Sequence, residues 1–227
     1  MIRLGIRTAI RDRIARDRSR GIYAQLREFT MISEDVFCDN LVLAETVRDI
    51  PGCVVECGVW RGGMSAGLCR ILGAEREYYL FDSFEGLPPA QPIDGAAAIK
   101  YQEDKDSPYY HDNCTAPPDF AQRAMKMAGA SRFELQPGFF DKTLPGFTPR
   151  EPIALLRLDA DWYESTILCL RHLFDHMAPG GAIILDDYYT WDGCSRALHD
   201  FLSERKATER IRSFNGSLCY LLRDDQA

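Results

Sequence analysis

Five short apolar runs alternate with segments of helical character, and this alternation constrains the fold more than any other feature of the chain. The runs cover residues 53–57, 78–82, 133–136, 153–158 and 182–185. Helical stretches lie near residues 64–72, 119–128, 163–176 and 194–204. Strands this uniformly apolar are buried on both faces, and strands separated by helices run parallel. The ending differs. "IRSFNGSLCYLLR" offers two strands turning around Asn215 and Gly216, the best hairpin signal in the chain. The expected architecture is therefore α/β: a doubly wound, mostly parallel sheet closed by an antiparallel strand.

Two pieces fall outside that pattern. Residues 1–50 read as an N-terminal helical extension to a domain spanning 51–227. Residues 88–118, rich in Pro, Asp, Tyr and Ala, form a connection long enough to be a lid or substrate loop. The first twenty residues carry seven arginines against Asp12 and Asp17. Ile2, Leu4, Ile6, Ile10 and Ile14 recur there at roughly helical spacing, so an amphipathic helix with a basic outer face is expected. It would pack on the domain or on a second copy, which makes a homodimer or higher homo-oligomer reasonable. A membrane-surface or transit-peptide role fits less well, because the stretch contains acids and lacks a cleavable apolar core.

Composition excludes several classes. The 227 residues suffice for one large domain with a real core, and the net charge of −7 argues against nucleic acid as a partner. No run approaches the roughly twenty apolar residues needed to span a bilayer. Eight cysteines are scattered without CxxC pairs or zinc-spaced histidines, which suits a reduced, cytoplasmic protein.

In such sheets ligands bind beyond the carboxyl ends of the strands. The first strand ends in "VVECGVWRGGMS", where Gly58, Gly62 and Gly63 let the backbone turn tightly, but the spacing is not the dinucleotide GxGxxG. The second ends at Asp82 in "YYLFDSFEG", placed to accept hydrogen bonds from ribose hydroxyls; a turn or helix-cap acid is the alternative. Glu56, inside an apolar strand, needs a partner, and a cationic ligand would supply one. Together these favour an adenosine cofactor carrying positive charge, S-adenosylmethionine rather than NAD.

Five segments, "VVECGVWRGG", "LFDSFEGLP", "GFFDKTLP", "LLRLDADWYEST" and "ILDDYYTWDGCSRAL", together resemble the macrocin O-methyltransferase (TylF/MycF-type) family. The resemblance runs from about Phe29 to Leu222. It implies the class I methyltransferase fold, a seven-stranded Rossmann-like sheet with an antiparallel C-terminal strand. It also implies metal-assisted methylation of sugar hydroxyls with S-adenosylmethionine, often on antibiotic natural products. The matching motifs imply cofactor contacts at Thr30, Met31, Glu56, Gly58, Arg61, Ser65, Asp82, Ser83, Gly138 and Phe139. The short N-terminal region and the loop 88–118 depart from the family pattern.

The remaining acids cluster at two further strand tips: Asp159 and Asp161 in "LDADWYEST", Asp186 and Asp187 in "LDDYYTW". Two carboxylates about 4 Å apart repel by about 4 kcal/mol at an effective dielectric near 20. A hard divalent cation such as Mg²⁺ answers that repulsion; single helix caps with solvated neighbours are the alternative. The resemblance puts Asp159, Asp186 and Asp187 on the family's metal-binding aspartates and Asp161 on its proposed general base. Asp161 can equally be the N-cap of the next helix, with Glu164 as a capping-box partner. His172 and His176 read as helix-end residues. His199 lacks a demanding spacing, His111 is the better substrate contact, and Trp191 either walls the sugar site or packs the core. A phenolic or catechol acceptor would serve the same chemistry. A non-catalytic S-adenosylmethionine-binding partner protein is a further alternative, disfavoured because it would not need the repelling acids. A nicotinamide enzyme ranks last.

Overall fold

The five apolar runs become five neighbouring strands of a seven-stranded sheet in a computed structural model, which describes residues 2–224 and side chains from Arg13 onward. β1 (Cys53–Cys57), β2 (Glu77–Asp82), β3 (Arg132–Pro137), β4 (Ile153–Leu158) and β5 (Met177–Leu185) are parallel. The hairpin of β6 (Arg212–Phe214) and β7 (Leu218–Leu222) completes the order β3-β2-β1-β4-β5-β7-β6, with β7 antiparallel to both neighbours. Asn215 and Gly216 both take positive φ at its turn, as the sequence signal requires. This is the class I methyltransferase arrangement.

Strand side chains alternate between two apolar layers. Val54, Leu80, Leu155 and Ile184 face α1 (Ile2–Leu26), α2 (Glu34–Ala44), α3 (Gly63–Leu72) and α5 (Pro118–Ala128). Val55, Phe81, Leu156 and Ile183 face α7 (Tyr163–Leu173) and α8 (Asp192–Arg205). By the same alternation Glu56 follows Val54 and Arg157 follows Leu155, so both point to the α1–α3 side. Strand order reverses between β1 and β4, and the carboxyl ends of β1, β2, β4 and β5 open on one cleft.

Two boundaries differ from expectation. β5 begins at Met177, so "APGG" lies inside the strand. A register shift against β4 absorbs it, and a Cβ on Gly181 would approach three carbonyl oxygens within 3.0 Å. α7 stops at Leu173, and a 3₁₀ turn, Phe174–His176, carries His176. The apolar stripe expected on α1 is only partly open to comparison, since the side chains of Ile2, Leu4, Ile6 and Ile10 lie outside the described residues. Ile14 is 64% exposed, whereas Ser19, Ile22 and Leu26 are the buried positions. Three of its arginines are matched within the chain. Arg16 reaches Asp35 and Asp39, Arg18 reaches Glu45, and Arg20 reaches Glu34. Asp39 also accepts from Asn215 and Ser217, tying α1 and α2 to the hairpin.

The connection 88–118 is folded. It holds a turn at Pro92–Asp94, α4 (Ala96–Glu103) and a turn at His111–Cys114. All four residues of that last turn have positive φ. Asn113 exchanges hydrogen bonds with Leu87, and Gln102 bonds both Pro88 and Asn113. The short α6 (Phe140–Thr143) follows β3. No helix among the described residues is long and apolar enough to cross a membrane.

Candidate active site

Two glycines let the cleft form. Gly58 ends β1 with φ +87°, and a Cβ there would meet the Asp159 carbonyl oxygen at 1.7 Å. Only glycine lets the tips of β1 and β4 touch. A Cβ on Gly63 would meet the Phe29 carbonyl at 2.5 Å, so the start of α3 receives the 29–31 segment directly. Above these tips lies a cavity of about 1010 Å³.

Of the residues expected to hold a cofactor, Thr30, Met31, Glu56, Gly58, Asp82, Ser83 and Phe139 line this cavity. Arg61, Ser65 and Gly138 do not. Arg61 stacks on Trp60 and Phe120, Ser65 donates to Glu56, and Gly138 donates its N–H to the Asp82 carbonyl. Asp82 accepts from Val59 and Trp60 on Oδ2, at 2.7 and 2.8 Å, and from Phe84 on Oδ1 at 2.7 Å. It thus holds two residues of positive φ, Trp60 and Phe84, in place. Burial raises its carboxyl above the usual range, opposed by those three N–H groups.

The partner of Glu56 corrects the sequence argument. That argument asked for a cationic ligand, but the chain supplies its own cation: Arg157 Nη1 donates to Glu56 Oε1 at 2.7 Å. The two are register partners on β1 and β4 and point to the same face. Burial still pushes the Glu56 carboxyl up to about 7, opposed by Arg157. Arg157 is fully buried and binds three further groups. Nη1 also donates to Asp159 Oδ2 at 3.0 Å, Nε donates to Asn40 Oδ1 at 3.0 Å, and Nη2 lies 2.9 Å from Asp186 Oδ2 in ion-pair contact. Sequence reasoning missed Arg157 and Asn40. The available signal was an arginine inside a strand that is buried along its whole length.

The strand-tip aspartates separate into two groups. Oxygens of Asp159, Asp161 and Asp187 lie within 4.8 Å of one another. Asp186 stands apart from that cluster, held by Arg157 and by Asn40 Nδ2 at 2.9 Å. Burial raises the carboxyls of Asp159, Asp161 and Asp187 above the usual range, and repulsion from neighbouring aspartates, Asp186 among them, adds to it, while Arg157 opposes it at Asp159. Three hard oxygen donors at this spacing suit a divalent cation such as Mg²⁺.

Asp161 is not the cap of α7. The N-cap position is Trp162, and Tyr163 donates its N–H to Asp94 Oδ1 at 2.7 Å. Asp161 itself has φ +55°, gives its N–H to Asp187 Oδ2, and accepts from Trp191 Nε1 at 2.9 Å. Trp191 lines the cavity and stands edge-on to Trp162 and Tyr101, so it walls the cleft and orients the acid at once. His111 lines the cavity too, whereas His199 pairs with Tyr188 outside it.

Comparisons with known proteins converge on one group. The model of the family described as Macrocin-O-methyltransferase (TylF) matches residues 9–223. An 8-demethyl-8-(2,3-dimethoxy-alpha-L-rhamnosyl)-tetracenomycin-C 4'-O-methyltransferase from Streptomyces olivaceus is 33% identical over 80% of the chain and 68% of the relative. A mycinamicin III 3''-O-methyltransferase from Micromonospora griseorubida is 33% identical over 73% of the chain and 66% of its own length. The solved structure of the O-methyltransferase NovP superposes with a TM-score of 0.70 at 26% identity, covering 86% of this chain and 82% of that one.

Proposed function

The chain belongs to the macrocin O-methyltransferase family, and on that premise we propose that its cleft methylates one hydroxyl of a sugar on a glycosylated natural product, with Asp161 as the proton acceptor. Members are S-adenosylmethionine-dependent O-methyltransferases acting on sugar hydroxyls, and this chain is an enzyme of that kind. The observation that carries the residue assignment is the convergence of Asp159, Asp161 and Asp187, beyond the ends of β4 and β5, in the cavity that Glu56 of β1 and Asp82 of β2 also line.

In this reading Thr30, Met31, Glu56, Gly58 and Asp82 form the cofactor half of the cleft, with Ser83 and Phe139 beside it. Asp159 and Asp187 would hold a divalent cation, with Asp186 next to them but engaged by Arg157 and Asn40. Such a cation supplies Lewis acidity, which makes an alcohol proton easier to remove. Asp161, aimed by Trp191, takes that proton as the acceptor oxygen takes the methyl group. Products are a methyl ether and S-adenosylhomocysteine. Tyr101, Trp191 and His111 bound the acceptor half, where the walls exclude water and hold the sugar in line. The names of the two relatives, one acting on a rhamnosyl tetracenomycin and one on mycinamicin III, support a glycoside acceptor. Eight free cysteines support a reducing, cytoplasmic setting.

Titration calorimetry tests the core of this reading. S-adenosylhomocysteine and Mn²⁺ should each bind the full chain, and Asp159→Asn should abolish the Mn²⁺ heat while leaving the nucleoside heat intact. Absence of nucleoside binding to the wild type would refute the proposal.

A further inference from the structure

Arg157 is the only arginine or lysine lining the cavity among the described residues. It faces carboxylates that belong to different halves of the site: Glu56 on the cofactor side, and Asp159 and Asp186 on the cation side. A guanidinium presents its N–H groups in a rigid planar fork, and a buried charge that loses its partners is strongly destabilised. Here Nη1 is divided between Glu56 and Asp159, at 2.7 and 3.0 Å, while Asn40 anchors Nε and also holds Asp186. One charge therefore serves both halves of the cleft.

We infer that Arg157 is a positioning residue that couples the two halves, so that a nucleoside ligand at Glu56 and a divalent cation at Asp159 weaken one another through it. The inference rests on the functional reading above. A ligand ammonium that takes over Glu56 lets the fork settle on Asp159 and Asp186, where it competes with a cation for the same oxygens. A divalent cation that takes Asp159 Oδ2 returns the fork to Glu56, where it competes with the ligand's ammonium. Such coupling is reciprocal by thermodynamic necessity: each ligand changes the other's affinity by one factor.

The experiment is calorimetric titration of Mn²⁺ into the full chain, with and without saturating S-adenosylhomocysteine, and the converse titration. In the wild type each ligand should bind about three- to tenfold more weakly when the other is present, by the same factor in both directions. Arg157→Lys keeps the charge but replaces the fork by a single point, so the factor should fall below about two while both ligands still bind. Asn40→Ala frees Nε and Asp186 without touching the charge, and should give an intermediate factor. An unchanged factor in Arg157→Lys would assign the effect to direct repulsion between the ligands and overturn the inference. If that variant does not fold, an unchanged factor in Asn40→Ala overturns it instead. Wild-type protein that binds both ligands without mutual weakening sinks the coupling alone. Wild-type protein that binds neither ligand sinks the functional reading and the coupling together.

Discussion

Asp161 carries the sharpest residue-scale consequence of the structure. A non-glycine residue at φ +55° costs about 1 kcal/mol unless its surroundings hold it there, and here Asp187 accepts its N–H while Trp191 donates to its carboxylate. Asparagine tolerates that conformation and keeps an oxygen for the indole N–H, so Asp161→Asn should leave the unfolding free energy from urea denaturation within about 0.5 kcal/mol of wild type. Without a carboxylate to accept the proton, release of S-adenosylhomocysteine with a methylated glycoside should fall at least about 100-fold. A variant that loses stability and keeps turnover would return Asp161 to a purely structural task. In the sequence, base and cap were indistinguishable, because both place an acid just before a helix. The distinction came from Asp94, which lies 69 residues from its partner Tyr163 and so escapes every local capping rule.

At the scale of elements, that same contact fixes the long connection to the catalytic wall. Asp94 Oδ1 caps α7 and its Oδ2 accepts from Gln91, while Trp162 Nε1 donates to the Pro88 carbonyl. Asp94→Ala should therefore cost about 1–2 kcal/mol, measured by urea denaturation, with Asp94→Asn costing less because one acceptor survives. The parallel strands were legible because residues such as Val54, Val55, Leu155 and Leu156 are apolar on both faces, a pattern no surface strand shows. The strand-tip acids were legible for the same reason: a carboxylate stands out where an apolar run ends. The apolar run 182–185 stops short of "APGG" because glycine and proline usually punctuate strands, and the inclusion of those residues in β5 depends on the β4–β5 register shift. Arg157 was illegible because its meaning lies in a register pairing with Glu56, 101 residues away.

At the scale of the whole molecule, the cleft concentrates negative charge around one guanidinium, and this sets how stability responds to pH. Burial holds the Glu56 carboxyl at about 7 against an ordinary 4.5, and moves Asp82, Asp159, Asp161 and Asp187 in the same direction. The folded chain therefore binds these protons more tightly than the unfolded chain does. Their contribution to stability is fully present below the unfolded pKa and is lost as pH rises through the folded pKa. Ligand-free protein should thus melt at progressively lower temperature from about pH 5 to about pH 8, and Glu56→Gln should flatten part of that slope. A divalent cation reverses the sign, since it binds the ionised carboxylates and competes with protons for them. Saturating Mn²⁺ should raise the melting temperature more at about pH 8 than at about pH 5, and Asp159→Asn should remove that gain at both. Thermal melts across this range decide the matter: a cation effect larger in acid than in base would mean that the strand-tip aspartates are not where the cation binds.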